Sequence, residues 1–237
     1  MTGSPPDAPD PAAAGDPGAS PDGPGPAVAG DPGTSPHVPG PAVTGDPAAA
    51  LPPRIPPGGV RAIGVRGAVT VRALGLAMGT ARPNLFATVA RHPRLFRGWL
   101  RFAARLMPRG RLRRRDTELV ILRVAHLRGS TYELEHHERL GRHAGLTEDE
   151  LLRVVAGPAA PGWNDRDRAL LLAAEDLVLA GDLDDDTWSL LRSHLDEAEA
   201  IELLFLVGHY DLLATVIRTL RIAPDHPGPL PRALRRR

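Results

Sequence analysis

The chain of 237 residues contains no cysteine, which removes disulfides, thiolate nucleophiles and sulfenic-acid chemistry from consideration. It contains no lysine either, so every basic side chain is arginine, and Schiff-base chemistry through a lysine amine is absent with it. Aromatics are sparse, with three Trp, two Tyr and four Phe, too few to interleave the basic clusters RGRLRRR (109–115) and RALRRR (232–237) as a nucleic-acid platform would require. The longest apolar stretch, IELLFLVGHYDLLATVI (201–217), is interrupted by Glu202, His209 and Asp211, which argues against a membrane span. The opening MTGSPPDAPD carries neither a basic n-region nor an apolar h-region, so a cytoplasmic protein is expected. No nucleic-acid or membrane partner is expected.

What the chain does contain divides it unevenly. Seventeen of 26 prolines precede Gly58, in a tract that repeats GDPGASPDGPGPAVA from Gly15 as GDPGTSPHVPGPAVT from Gly30. Such composition cannot bury enough apolar surface to offset chain entropy, so residues 1–58 read as a disordered arm. Residues 59–223 read as one helical domain and 224–237 as a basic tail. From Asn84 onward the apolar period is near 3.6, predicting helices at about 85–91, 94–107, 115–128, 131–144, 147–156, 165–181, 185–193 and 196–221. The stretch 60–80 fits either helix or irregular cover. The fold class is therefore all-α.

Two predicted helices, ELVILRVAHL (118–127) and 201–217, are apolar nearly all round and belong at a bundle centre or a subunit contact. Polar groups inside them are informative, because an unpaired buried polar group costs about 1–3 kcal/mol. If the helices flanking Gly129 form an antiparallel hairpin, Glu118 and His137 lie about 16 Å and 12 Å from the turn. Ser130, Glu133 and His137 share one face of the second helix, so Glu118, Glu133 and His137 converge on a common pocket. His136 points about 100° away from His137 and is not expected to join them. Ser130 to Glu133 also fits a capping box, which is the structural alternative for Glu133. One Glu-x-x-His copy, Glu133 to His136, falls short of the two that a di-iron bundle needs, so no metal is expected. Glu202 and His209 are nearly eclipsed and fit either a buried hydrogen bond or a second wall of the pocket, with Tyr210 closing it.

The string ELVILRVAHLRGSTYELEHHERLGRHAGLTEDEL resembles the core of the carboxymuconolactone decarboxylase and AhpD-like superfamily, with flanking likeness over roughly 84–222. Members with peroxidase activity carry Glu, eleven residues, Cys, two residues, Cys, three residues, His. Here that spacing falls on Glu118, Ser130, Glu133 and His137. Both thiol positions are replaced, so the thiol-peroxidase mechanism is chemically unavailable. The resemblance implies an AhpD-like helical bundle, a homo-oligomer (trimer or hexamer), no cofactor, and decarboxylation or isomerisation of a small carboxylated metabolite. In that reading His137 is the general acid or base, Glu118 a carboxyl with a raised pKa or an orienting group, and Glu133 the second carboxyl. Ser130, His209 and Tyr210 are candidate pocket residues. The alternative is a peroxiredoxin-family homologue that acts as a scaffold or small-molecule binding module.

Overall fold

The structure is a computed structural model that describes residues 51–225; the repeats of the arm and nearly all of the basic tail lie outside the described residues. Helices α1 (Val60–Met78), α2 (Asn84–Val89), α3 (Pro93–Leu106), α4 (Arg114–Leu127), α5 (Thr131–Ala144), α6 (Glu148–Ala156), α7 (Asp165–Leu179), α8 (Asp185–Arg192) and α9 (Glu197–Leu220) follow in order. No strand occurs among the described residues.

Helix starts follow local chemistry. His92 accepts a hydrogen bond from the Leu95 amide ahead of Pro93, which supplies a preset first turn. Asn164 caps α7 through the Asp167 amide, while Thr147 with Glu150 and Asp196 with Glu199 form reciprocal capping boxes at α6 and α9. The ambiguous stretch before residue 80 is a helix with a break at Gly64, whose φ of 69° only glycine adopts at low cost.

The centre of the bundle is α4, in which every residue from Asp116 to Ala125 is buried. Leu119, Val120, Ile121 and Val124 are fully enclosed. The polar residues that interrupt this apolar helix are matched by partners on its neighbours. Asp116 accepts from Arg166 at 2.8 Å, and Arg123 pairs with Glu175 and donates to the carbonyls of Val154 and Val155 at 2.8 and 2.9 Å. Around α4 stand α5, α7, α9 and the short α6. The second apolar helix, α9, is only half enclosed. Leu203, Leu206, Val207, Leu213 and Ala214 face the core, whereas Ile201, Phe205 and Leu212 are 56, 56 and 58 % exposed. That helix alone among the described ones has the length and hydropathy of a membrane span.

A separate apolar cluster of Ile63, Val71, Ala87, Ala90 and Phe96 joins α1, α2 and α3 into a layer of their own. The chain is fastened to the bundle on both sides of the expected domain limits. Arg54 donates its amide to Leu220, Gly58 to Ala87, and Asn84 holds the carbonyls of Ala223 and Pro224 with its side-chain amide.

The α4–α5 hairpin turns at Gly129, with φ of 62°, as its spacing predicts. A side chain there would force an L-residue into the left-handed region, at about 1–2 kcal/mol. Gly129→Ala is therefore expected to lower unfolding free energy by about that amount in urea titration. An unchanged midpoint would show that the turn does not set the hairpin.

Candidate active site

The hairpin register places Glu118 of α4 beside His137 of α5, with His137 Nδ1 2.7 Å from Glu118 Oε2. Glu118 has no exposed surface, and its other oxygen is paired with Arg114, one turn earlier on the same helix. A buried carboxylate holding both an imidazole and a guanidinium has its desolvation offset by two charge-assisted contacts. As acceptor, Glu118 fixes the proton of His137 on Nδ1 and leaves Nε2 the basic nitrogen. That Nε2 has no hydrogen-bond partner among the described residues.

In front of His137 lies a cavity of about 380 Å³. Its polar wall consists of Glu133, His136 and His137 from α5, His209 and Tyr210 from α9, and Arg114 and Tyr132. The sequence-derived candidates thus separate into groups. Glu133, His137, His209 and Tyr210 reach the cavity. Glu118 does not line it and acts from behind His137. Ser130 lies in a small crevice beside Thr131, Arg218 and Arg221, because it sits at the turn where the chain enters α5. It is not part of the main cavity wall.

The capping-box expectation for Ser130 and Glu133 is not met. Ser130 occupies the cap position of α5 without a side-chain cap bond, and its amide bonds to Ala125. Glu133 lines the cavity wall and is 3 % exposed, with both carboxyl oxygens shielded from solvent and neither in a well-formed hydrogen bond. Burial pushes its carboxyl up to about 8, with the nearby Ser130 hydroxyl opposing the rise and the charge of Asp211 adding to it. At neutral pH it is a carboxylic acid able to donate.

His136 overturns the helical arithmetic that set it aside, since the cavity wraps around more of α5 than one 100° step. Its Nδ1 receives Arg139 at 3.2 Å, so its proton lies on Nε2 and points to Asp225 Oδ2 at 3.0 Å. The Tyr132 hydroxyl donates to the same oxygen at 2.8 Å, and the Asn84 amide donates to the other at 2.7 Å. Both ring nitrogens of His136 are committed, whereas His137 keeps one. Asp225 lay in the segment read as tail, and nothing in its flanking sequence marks it for this role.

The expected Glu202–His209 hydrogen bond does not form. Glu202 accepts the amides of Arg111 and Leu112 at 2.6 and 3.1 Å, closing the loop before α4. His209 packs among the rings of Trp99, Phe102 and Tyr210. Burial lowers its pKa to about 4, so it remains neutral. Tyr210 stands edge-on to His137 at 5.1 Å and stays a phenol, its pKa raised first by burial and then by the carboxyls of Glu118 and Glu133.

The helical hairpin thus presents a histidine hydrogen-bonded to a buried carboxyl at the wall of a cavity. Residues 93–176, from α3 into α7, match the sequence model of the carboxymuconolactone decarboxylase family. No curated protein matches the sequence. Solved structures share the fold. An uncharacterized peroxidase-related protein from Ralstonia eutropha JMP134, described as an alkylhydroperoxidase AhpD core, aligns over 74 % of this chain and 94 % of its own at 19 % identity and a TM-score of 0.64. The debrominase Bmp8 aligns over 72 % and 91 % at 15 % identity and 0.62. A peroxidase-related protein from Silicibacter sp. TM1040 aligns over 67 % and 84 % at 16 % identity and 0.60.

The raised pKa of Glu133 has a consequence for stability. Its folded value near 8 lies above the usual carboxyl value of 4.5, so the folded state holds a proton that the unfolded state releases. Folding stability from this group is full below pH 4.5 and falls as pH rises toward 8. Glu133→Gln should remove that decline and gain on the order of a few kcal/mol at pH 8 in denaturant titrations. Parallel pH profiles for the two proteins would show that Glu133 is not buried as described.

Proposed function

We propose that the cavity is a cofactor-free proton-transfer site performing decarboxylation or isomerisation next to a carbonyl on a carboxylated metabolite. The observation that carries this reading is the pairing of His137 with buried Glu118, which leaves one imidazole nitrogen unbonded at the cavity wall. Glu133, held protonated by burial, supplies a second and chemically distinct proton donor a few residues away. A carboxyl held protonated beside an imidazole with an unbonded nitrogen offers a donor and an acceptor in one site.

In a decarboxylation, the carbon–carbon bond to the carboxylate breaks and its electron pair passes to the neighbouring carbonyl as an enolate. The Glu133 carboxyl hydrogen-bonds to that oxygen, and protonated His137 delivers its Nε2 proton to carbon, so that carboxylate plus proton becomes carbon dioxide plus product. In an isomerisation the same nitrogen removes the proton adjacent to the carbonyl and returns it elsewhere. Glu118 holds the ring in one tautomer and stabilises its charged form, without touching substrate. His136, tied at both nitrogens, shapes the wall.

Self-association is part of the proposal. The outward side of α9 presents Ile201, Phe205 and Leu212, and Phe205 meets Phe102 of α3 edge-on at 6.1 Å. A contiguous exposed apolar surface of this kind suits a second copy of the chain. A cytoplasmic location is part of the same proposal.

A panel of lactone acids and keto acids, followed by proton NMR in deuterium oxide, tests the chemistry through loss of carboxylate or exchange at the carbon beside the carbonyl. His137→Ala is expected to lose about 100- to 10,000-fold in rate, the usual worth of a positioned acid–base group. Glu118→Gln should lower kcat with little change in KM. Wild-type rates from the His137 variant refute the assignment, and a panel inert to the parent protein favours binding without turnover.

A further inference from the structure

The cavity is far more apolar than a small hydrophilic acid requires. Opposite the polar wall of α5 and α9, its other side is built by Leu74 and Met78 of α1, Phe86 of α2, and Trp99, Leu100 and Ala103 of α3. Leu74, Met78 and Phe86 lie before the 93–176 family segment, so part of this wall comes from α1 and α2, outside that segment. At about 380 Å³ the space is more than twice the roughly 150 Å³ apolar cavity that accepts one benzene ring. It lies within the ~300–1,000 Å³ range of small-molecule sites.

Charge is segregated around that space. From Leu51 to Arg115 the chain carries fifteen Arg and no Asp or Glu, while from Asp116 to Asp225 it carries ten Arg and twenty-two acids. The apolar wall therefore belongs to the strongly cationic part, where Arg94, Arg97, Arg101 and Arg105 recur along α3, all exposed and none in an ion pair among the described residues. Arg114 is the one arginine at the cavity wall. Exposed arginines on the helix that forms one wall of an apolar cleft raise the local concentration of anions, although Arg114 itself is shared with Glu118.

We infer that the ligand of this cavity is an amphipathic organic anion: a carboxylate on an apolar ring body of about bicyclic size, its charged end at Arg114 and His137 and its rings against the α1–α3 wall. This rests on the reading of the cavity as the substrate site and names the substrate class that site takes. Small acids fill the polar end but leave the apolar wall in contact with water, and neutral bicycles fill the wall but forgo the cationic field. The ring body gains from removing the Trp99, Phe86 and Leu74 surface from solvent.

Isothermal titration of the full chain with 2-naphthoate, 2-naphthamide and benzoate decides the matter. Binding of 2-naphthoate at least tenfold tighter than either comparison compound is expected. Equal affinity for the amide removes the anion requirement, equal affinity for benzoate removes the bicyclic body, and either result overturns the inference. Ala103→Phe, which fills the apolar side, should weaken 2-naphthoate at least tenfold and benzoate less than threefold; equal losses for both would also overturn it. If that variant does not fold, the comparison of three ligands on the parent chain stands by itself. Turnover of the panel acids by His137→Gln separates this inference from the catalytic reading. Selective naphthoate binding by the parent chain with lost turnover in the variant supports both. Selective binding by the parent chain with unchanged turnover in the variant upholds the ligand class and sinks the role of His137. Absence of naphthoate binding in a protein that still processes small lactone acids through His137 sinks the ligand class alone.

Discussion

A carboxylate with no solvent contact, at the centre of the most deeply buried helix, is the constraint around which the candidate site is arranged. Glu118 cannot remain ionised in that position alone, because removing a charge from water costs several kcal/mol unless partners replace the hydration. Arg114 and His137 replace it, one from the same helix and one across the hairpin. The same contact that makes the acid tolerable in the core fixes which nitrogen of His137 carries its proton. Packing and chemistry are thus solved by a single interaction, and the register of the α4–α5 hairpin is bound to both.

The rest of the cavity follows a division of labour between two groups of helices. The bundle of α4, α5, α7 and α9 supplies the ionisable wall, with each buried polar group either paired, as in Asp116 with Arg166, or held neutral, as in His209 and Glu133. The α1–α3 layer supplies the apolar wall and the positive charge. Asp225 links the groups at the far end of the chain, drawing hydrogen bonds from Asn84 at the start of α2 and from Tyr132 and His136 of α5. A wall whose shape depends on three separate helices is rigid only when all three are docked.

Thiol chemistry is excluded here by composition and replaced by geometry. At the two positions where redox relatives place cysteines stand Ser130 and Glu133, and these diverge in fate. Ser130 remains at the helix entrance, beside a crevice on the other side of the turn, while Glu133 reaches the cavity. The helix start that would lower the pKa of a thiol instead adjoins a carboxyl whose burial raises its own. At this position the site retains a proton.

By itself the sequence determined the helix limits, since capping residues and Pro or Gly breaks act within a few positions, and it determined that Glu118 and His137 lie side by side, because a short turn and a fixed rise per residue leave little freedom. It also settled that no cysteine-based mechanism operates. Only the tertiary structure decided which of two adjacent histidines keeps a free nitrogen, because Asp225 lies 89 residues from His136 and Asn84 a further 52 before it. It likewise decided that Glu133 forms part of the cavity wall without completing a capping box, and that Glu202 closes a loop instead of meeting His209. Those outcomes depend on side-chain rotation and on contacts between distant segments, which periodicity and spacing do not encode.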